Sequence, residues 1–241
     1  MQLEGKVAVV TGGGSGIGLA TIQLLGRNKI KVAIVGRTQK KLQEAQDLVE
    51  REGGEAHIFP TDITKPDEVR QMAEQVYNHF GRIDILINNA GLGIFRNVED
   101  LEISEWHNMV DVILNGTFYC THYLLPYIYK NDRGHVIIIS SLWAKDNCAT
   151  CAGYVAAKHG QKGFAESLRE EARKHNVKVS NIMPGTVDSP FFEKCDWDVD
   201  TSRALKVEDV AGLILYALQT SDHSAVEDVV MQAVNRVFPT I

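Results

Sequence analysis

Residues 7–26 read VAVVTGGGSGIGLATIQLLG, and no other stretch limits the fold as strongly. A short β-branched run enters a glycine-rich turn and leaves it as an amphipathic helical pattern. Glycines 12, 14 and 18, with 13 and 16 between them, let the chain turn tightly without Cβ atoms. Backbone can then approach a pyrophosphate at the positive end of the following helix. A second strand-like run, Lys31–Val35, supplies the context that separates such a cradle from a merely flexible turn. Ser15 and Thr38 are placed to add phosphate contacts.

The same alternation continues to the end of the chain. Runs suited to strands occur at Val7–Val10, Lys31–Val35, Ala56–Phe59, Ile83–Asn88, His135–Ser140, Val177–Ile182 and Glu227–Ala233. Several are apolar almost without interruption, as in VIIIS, which is how strands buried on both faces read. Between them lie helical patterns, the clearest being TKPDEVRQMAEQVYNHFG. There Thr64 is the expected N-cap, Pro66 sits just inside the start and Gly81 ends the helix. Val69, Met72, Ala73, Val76, Tyr77 and Phe80 form its apolar face. No linker or repeat interrupts the pattern. The expectation is an α/β fold: a single doubly wound Rossmann domain over residues 1–241, with about seven parallel strands and helices on both faces.

Composition removes several classes of function. A net charge of −6, with no basic run longer than KK at 40–41, argues against nucleic acid or an anionic membrane as partner. No apolar run approaches the ~18 residues of a membrane helix. The N-terminus has no signal-peptide pattern. Four cysteines are too few for a disulfide scaffold, so a cytoplasmic protein with free thiols is expected.

The second strand carries a choice of cofactor. An acidic side chain at its end would bond the adenosine ribose hydroxyls and repel a 2′-phosphate. This chain has Gly36 there, which leaves room, and then Arg37, whose guanidinium can fork onto a phosphate. NADP(H) is therefore preferred, with NAD(H) still possible.

With these residues in view, the chain resembles the short-chain dehydrogenases/reductases over nearly its full length. TGGGSGIG is similar to the family's T-G-x-x-x-G-x-G loop, which places Gly12, Gly14, Ile17 and Gly18 at the cofactor. Asp62, followed by Ile63, matches the acidic residue that holds the adenine. NNAG at 88–91 ends the fourth strand and contributes Asn89, Ala90 and Gly91. PGTVDS at 184–189 is similar to the P-G-x-x-x-T segment beside the nicotinamide, with Pro184, Gly185, Val187 and Ser189. Ser141 lies thirteen residues before Tyr154, and Lys158 four after it, as in the family's S…Y-x-x-x-K set. The resemblance implies strand order 3-2-1-4-5-6-7, carbonyl–alcohol interconversion by hydride transfer on a small molecule, and a homodimer or homotetramer.

These residue types suit that reaction. Hydride arriving at a carbonyl leaves charge on oxygen, and a proton must be donated there. A tyrosine with pKa ~10 is a poor proton carrier at neutral pH. A lysine one helical turn away favours tyrosinate. Tyr154 and Lys158 have that spacing, and Ser141 can bond the substrate oxygen. In the family the lysine also holds the nicotinamide ribose.

Cys148 and Cys151 form a C-x-x-C pair, yet no second Cys/His pair completes a zinc set and no thioredoxin-like context surrounds it. No metal is expected. The cysteines instead join Ser141, Leu142, Trp143, Phe191 and Phe192 in an expected apolar substrate pocket. A short lid is expected around 190–203, with Trp197 apolar and Glu193, Asp196, Asp198 and Asp200 acidic.

One position departs from the family. Its pattern W-x6-N places asparagine seven residues after a tryptophan, where it helps hold a water that relays protons to the lysine. Seven after Trp106 stands Ile113, and Asn115 lies two further on. Two helical residues turn the direction by roughly 200°, so Asn115 should face away unless the helix is bulged. Either a backbone carbonyl serves the relay, with Ile113→Asn keeping or raising activity, or the chain is a catalytically weak NADP(H)-binding or redox-sensing protein.

Overall fold

A computed structural model describes residues 3–195 and 199–234. Seven strands form one parallel sheet: β1 Val7–Thr11, β2 Lys31–Gly36, β3 Ala56–Pro60, β4 Ile85–Asn88, β5 Gly134–Ile139, β6 Val177–Pro184 and β9 Asp228–Met231. Their order is β3-β2-β1-β4-β5-β6-β9, the expected order with β9 as the seventh strand. Two further pieces were not legible in the sequence. β7, Val187–Asp188, pairs with β8, Leu205–Lys206, as a separate parallel ladder at the two ends of the lid segment.

The strands explain their own composition. Along β1, Ala8 and Val10 face one core while Val9 faces the other; along β2, Val32 and Ile34 oppose Ala33 and Val35. A two-residue period with both faces covered demands apolar residues at every position. Helices α1 Gly16–Arg27, α2 Gln39–Arg51 and α7 Val207–Gln219 cover the first face. α3 Pro66–Phe80, α5 Gly116–Ile128 and α6 Ala152–Ala172 cover the second.

α3 buries Val69, Met72, Ala73 and Val76, and Gly81 ends it at φ 76, as its sequence predicts. Its N-cap is Lys65 rather than Thr64. Thr64 is diverted: its backbone N–H and hydroxyl donate to Asp62 Oδ1 at 3.1 and 2.8 Å, a local turn that competes with capping.

α4, Ile103–Val110, runs into α5 through a π-helical turn over Asp111–Asn115. Gly116 N–H donates to the Asp111 carbonyl five residues back, so one extra residue fits into the helix at this point.

Candidate active site

A cleft of about 540 Å³ opens beyond the carboxyl ends of β1, β2 and β4, where the strand order reverses. Gly12, Ser15 and Ile17 line its floor, Arg37, Asp62 and Ile63 one end, and Asn89, Ala90, Gly91 and Ser189 its middle. Tyr154 and Lys158 close the other end.

The floor is shaped by close approaches. Gly12 holds φ +68, which a side chain resists. A Cβ on Gly18 would lie 2.2 Å from the Gly12 carbonyl oxygen, so α1 can start against the loop only without one. Asn89 ties the same loop to β4, its Nδ2 donating to the Thr11 and Gly12 carbonyls at 2.9 and 3.3 Å. Gly18 therefore shapes the cradle from behind and does not line it. Gly14 is likewise turned away, its Cβ position 3.3 Å from Lys41 Cβ. Thr38 is the N-cap residue of α2 and also stands outside the lining.

Lys41, one turn into α2, joins Arg37 at the rim, a second cation that the sequence reading did not include. Burial opposes ionisation of Asp62, but the Thr64 N–H and hydroxyl, with the charges of Arg37 and Lys65, hold its carboxyl below the ordinary range.

Ser141 follows β5 in extended backbone, its hydroxyl accepting from Trp143 N–H at 3.2 Å. Tyr154 and Lys158 rise from the first two turns of α6, only 7% and 3% exposed. The rings of Phe95, Trp143 and Phe191 stand edge-on to Tyr154 at 5.6 to 5.9 Å. Burial among them pushes the phenol up, while its hydrogen bond to Ser141 draws it down and nearby Cys195 and Cys151 raise it further. The i, i+4 spacing implies a phenol held low by the lysine; here burial sets the direction and holds it above its ordinary range. Burial also pushes the Lys158 ammonium down to about 7.

Lys158 Nζ lies 5.6 Å from the Tyr154 ring centroid and donates to the Ile139 carbonyl at 3.0 Å and to Gln161 Oε1 at 2.9 Å. Gln161 did not figure in the sequence reading. The signal was present: it stands seven residues after Tyr154, a polar side chain on the inward face of α6. Ile113 is fully buried with Phe95, Met109, Cys151 and Tyr154, and meets the site through its backbone carbonyl. Asn115, in the bulged turn, donates to Asp111 Oδ1 at 2.8 Å and stays away from Lys158.

Beside the cleft a pocket of about 130 Å³ is walled by Leu142, Trp143, Phe191 and Phe192, with Ser141 and Tyr154 at its base. Pro184, Gly185 and Val187 line this pocket rather than the cleft. Gln232 and Ala233 complete it, brought in by the pairing of β9 with β6, a long-range contact with no local sequence signal. Among the described residues no charged side chain lines it.

Cys148 and Cys151, expected in the pocket wall, do not line this pocket. Cys151 is buried behind the phenol, its thiol bonded to the Ala149 carbonyl at 3.1 Å, because Thr150 at φ 62 turns the chain inward. Both thiols are free, and among the described residues no group of three or more His, Cys, Asp or Glu could hold a metal. Asp196, Trp197 and Asp198 of the lid fall outside the described residues.

The comparisons with known proteins meet this geometry. The family model for short chain dehydrogenases matches residues 6–199. The chain belongs to the short-chain dehydrogenase family. Like its relatives it is an oxidoreductase. Two uncharacterised oxidoreductases, from Staphylococcus epidermidis and Staphylococcus haemolyticus, are 33% and 34% identical to it over 234 residues, 97% of this chain and 99% of each of theirs. A metagenomic short-chain oxidoreductase solved with NADP superposes with a TM-score of 0.85 at 31% identity, covering 96% of this chain and 98% of that one. The alcohol dehydrogenase of the archaeon Thermococcus sibiricus, solved with 5-hydroxy-NADP, gives 0.89 at 25% identity, covering 96% and 97%. Among the described residues of this short-chain dehydrogenase, no helix is long and apolar enough to cross a membrane.

Proposed function

We propose that this short-chain dehydrogenase interconverts an uncharged carbonyl compound and its alcohol with NADP(H). The observation that carries the reading is the convergence of Ser141, Tyr154 and Lys158 where the dinucleotide-sized cleft meets the apolar pocket. The cleft suits a dinucleotide: a glycine turn along the floor, Asp62 and two cations at one end, and the buried pair at the other. When bound, the nicotinamide cofactor supplies or accepts the hydride.

The chain's own residues do the rest. Ser141 bonds the substrate oxygen. Tyr154 donates a proton to that oxygen in reduction and takes it back in oxidation. The Lys158 ammonium faces the phenol and favours its anion as the proton leaves. Trp143, Phe191 and Phe192 exclude water from the reacting centre. A pocket with no charged wall among the described residues suits a neutral, apolar ketone or aldehyde, since a charged substrate would lose its hydration with nothing there to replace it. Arg37 and Lys41 supply positive charge where a 2′-phosphate would sit, and two NADP complexes among structurally similar oxidoreductases favour the same cofactor.

Tyr154→Phe tests the mechanism. It should cut kcat by about 10³-fold or more while NADPH binding stays near wild type. Turnover at the wild-type rate would sink it. The assay is absorbance loss of NADPH over a panel of neutral ketones and aldehydes.

A further inference from the structure

We propose that Gln161 is a positioning residue for Lys158, its side-chain amide replacing the polar partner that isoleucine at 113 cannot supply. Gln161 is 1% exposed. Its Oε1 accepts from Lys158 Nζ at 2.9 Å, and its Nε2 donates to the Ile113 carbonyl at 2.8 Å and to Thr117 Oγ1 at 2.7 Å. Thr117 in turn donates its hydroxyl proton to the same carbonyl at 2.7 Å.

Chemistry fixes the orientation of the amide. An ammonium only donates and a carbonyl only accepts, so Oε1 must face Lys158 and Nε2 must face Ile113. An amide buried on an inward helix face would be costly unless each of its groups were bonded, and here each is. The bridge joins α6 to the bulged turn across 48 residues of sequence.

The lysine is thereby held at two of its three N–H groups, one by Ile139 on β5 and one by Gln161. The third is left for the cleft that Lys158 lines. A carboxamide accepts a hydrogen bond without passing a proton on, so Gln161 anchors the ammonium, and protons reach the pair from the cleft side.

Few groups compete with it. Tyr154 is the titratable neighbour on the same helix, the loop after β4 approaches at Gly91, and β5 offers a backbone carbonyl. Burial alone displaces Lys158, downward. The inference rests on the reading of Tyr154 and Lys158 as the proton-handling pair.

Two variants test it. Gln161→Leu keeps the size and removes the acceptor; the Ile113 carbonyl keeps its Thr117 partner. Gln161→Glu keeps the acceptor and adds charge. Lys158 is titrated by NMR of ¹³Cε-labelled lysine in the NADPH-free protein, assigned by the signal lost in Lys158→Arg. The lysine midpoint should fall by about half a unit or more in the leucine variant and rise by about a unit in the glutamate variant. The alkaline limb of kcat/KM should move in the same two directions. A purely structural glutamine would lower activity in both variants without opposite shifts.

Midpoints that stay together, or move the same way, in folded variants overturn the inference. Opposite shifts in a protein that reduces no carbonyl keep it and remove the catalytic reading. Loss of turnover in Tyr154→Phe with an unmoved lysine removes Gln161 alone.

Discussion

Lys158 and its neighbours make stability depend on pH in a way that can be signed. Its folded value near 7 lies below the ordinary 10.5, so the unfolded chain binds more protons between those limits and stability rises with pH there. His135, buried and pushed down from 6.5 to about 3, does the same at lower pH. Cys120, pushed up to about 12, and Cys151 and Tyr154, also pushed up, act in the opposite sense once their unfolded forms begin to ionise, near pH 9. The melting temperature of the cofactor-free protein should therefore climb from about pH 7 to about pH 8.5 and then turn over. Lys158→Met should flatten that climb; an unchanged slope would contradict the burial of its charge. Ile113 belongs to the same scale. Its side chain sits in an apolar cluster beneath Tyr154, so Ile113→Asn, expected to keep or raise activity, carries a separate cost in stability. The substitution should cost about 2–4 kcal/mol by denaturant titration, from lost packing plus an unpaired amide.

Between residues and molecule, two elements decide the site: the loop that opens α1 and the bulged turn that joins α4 to α5. The first was legible because its geometry is local. A Cβ at 18 meets backbone of residue 12, six positions away. Gly18→Ala should cost about 1–3 kcal/mol and weaken NADPH binding at least tenfold, both read in one fluorescence titration series with and without urea. Normal affinity would mean that the loop can shift. The second element was legible only as a condition: Asn115 would turn away unless the helix bulged. The helix does bulge, yet Asn115 bonds Asp111, and the turn's contribution to the site is a backbone carbonyl. Carbonyls carry no sequence signal, which is why the anchor that holds Gln161 beside Lys158 went unseen.

At the level of the whole molecule, a cofactor that bridges both ends of the cleft should stabilise the fold in proportion to its affinity. At a hundredfold excess over Kd the gain is about 2.7 kcal/mol, or roughly 5–10 °C for a chain of this size. With Arg37 and Lys41 at the rim, NADPH should raise the melting temperature more than NADH at equal concentration. Equal shifts would contradict the preference. The sequence by itself determined the sheet, the glycine cradle and the one-turn spacing of Tyr154 and Lys158, because those follow from two- and 3.6-residue periods and short loops; the strand order and the place of Ser141 came from the family resemblance. Only the tertiary structure decided that Cys151 stands behind the phenol, that Gln232 closes the pocket, and that Gln161 ties Lys158 to the Ile113 carbonyl. Each of these depends on which distant segment packs alongside, and packing joins residues that no local period relates.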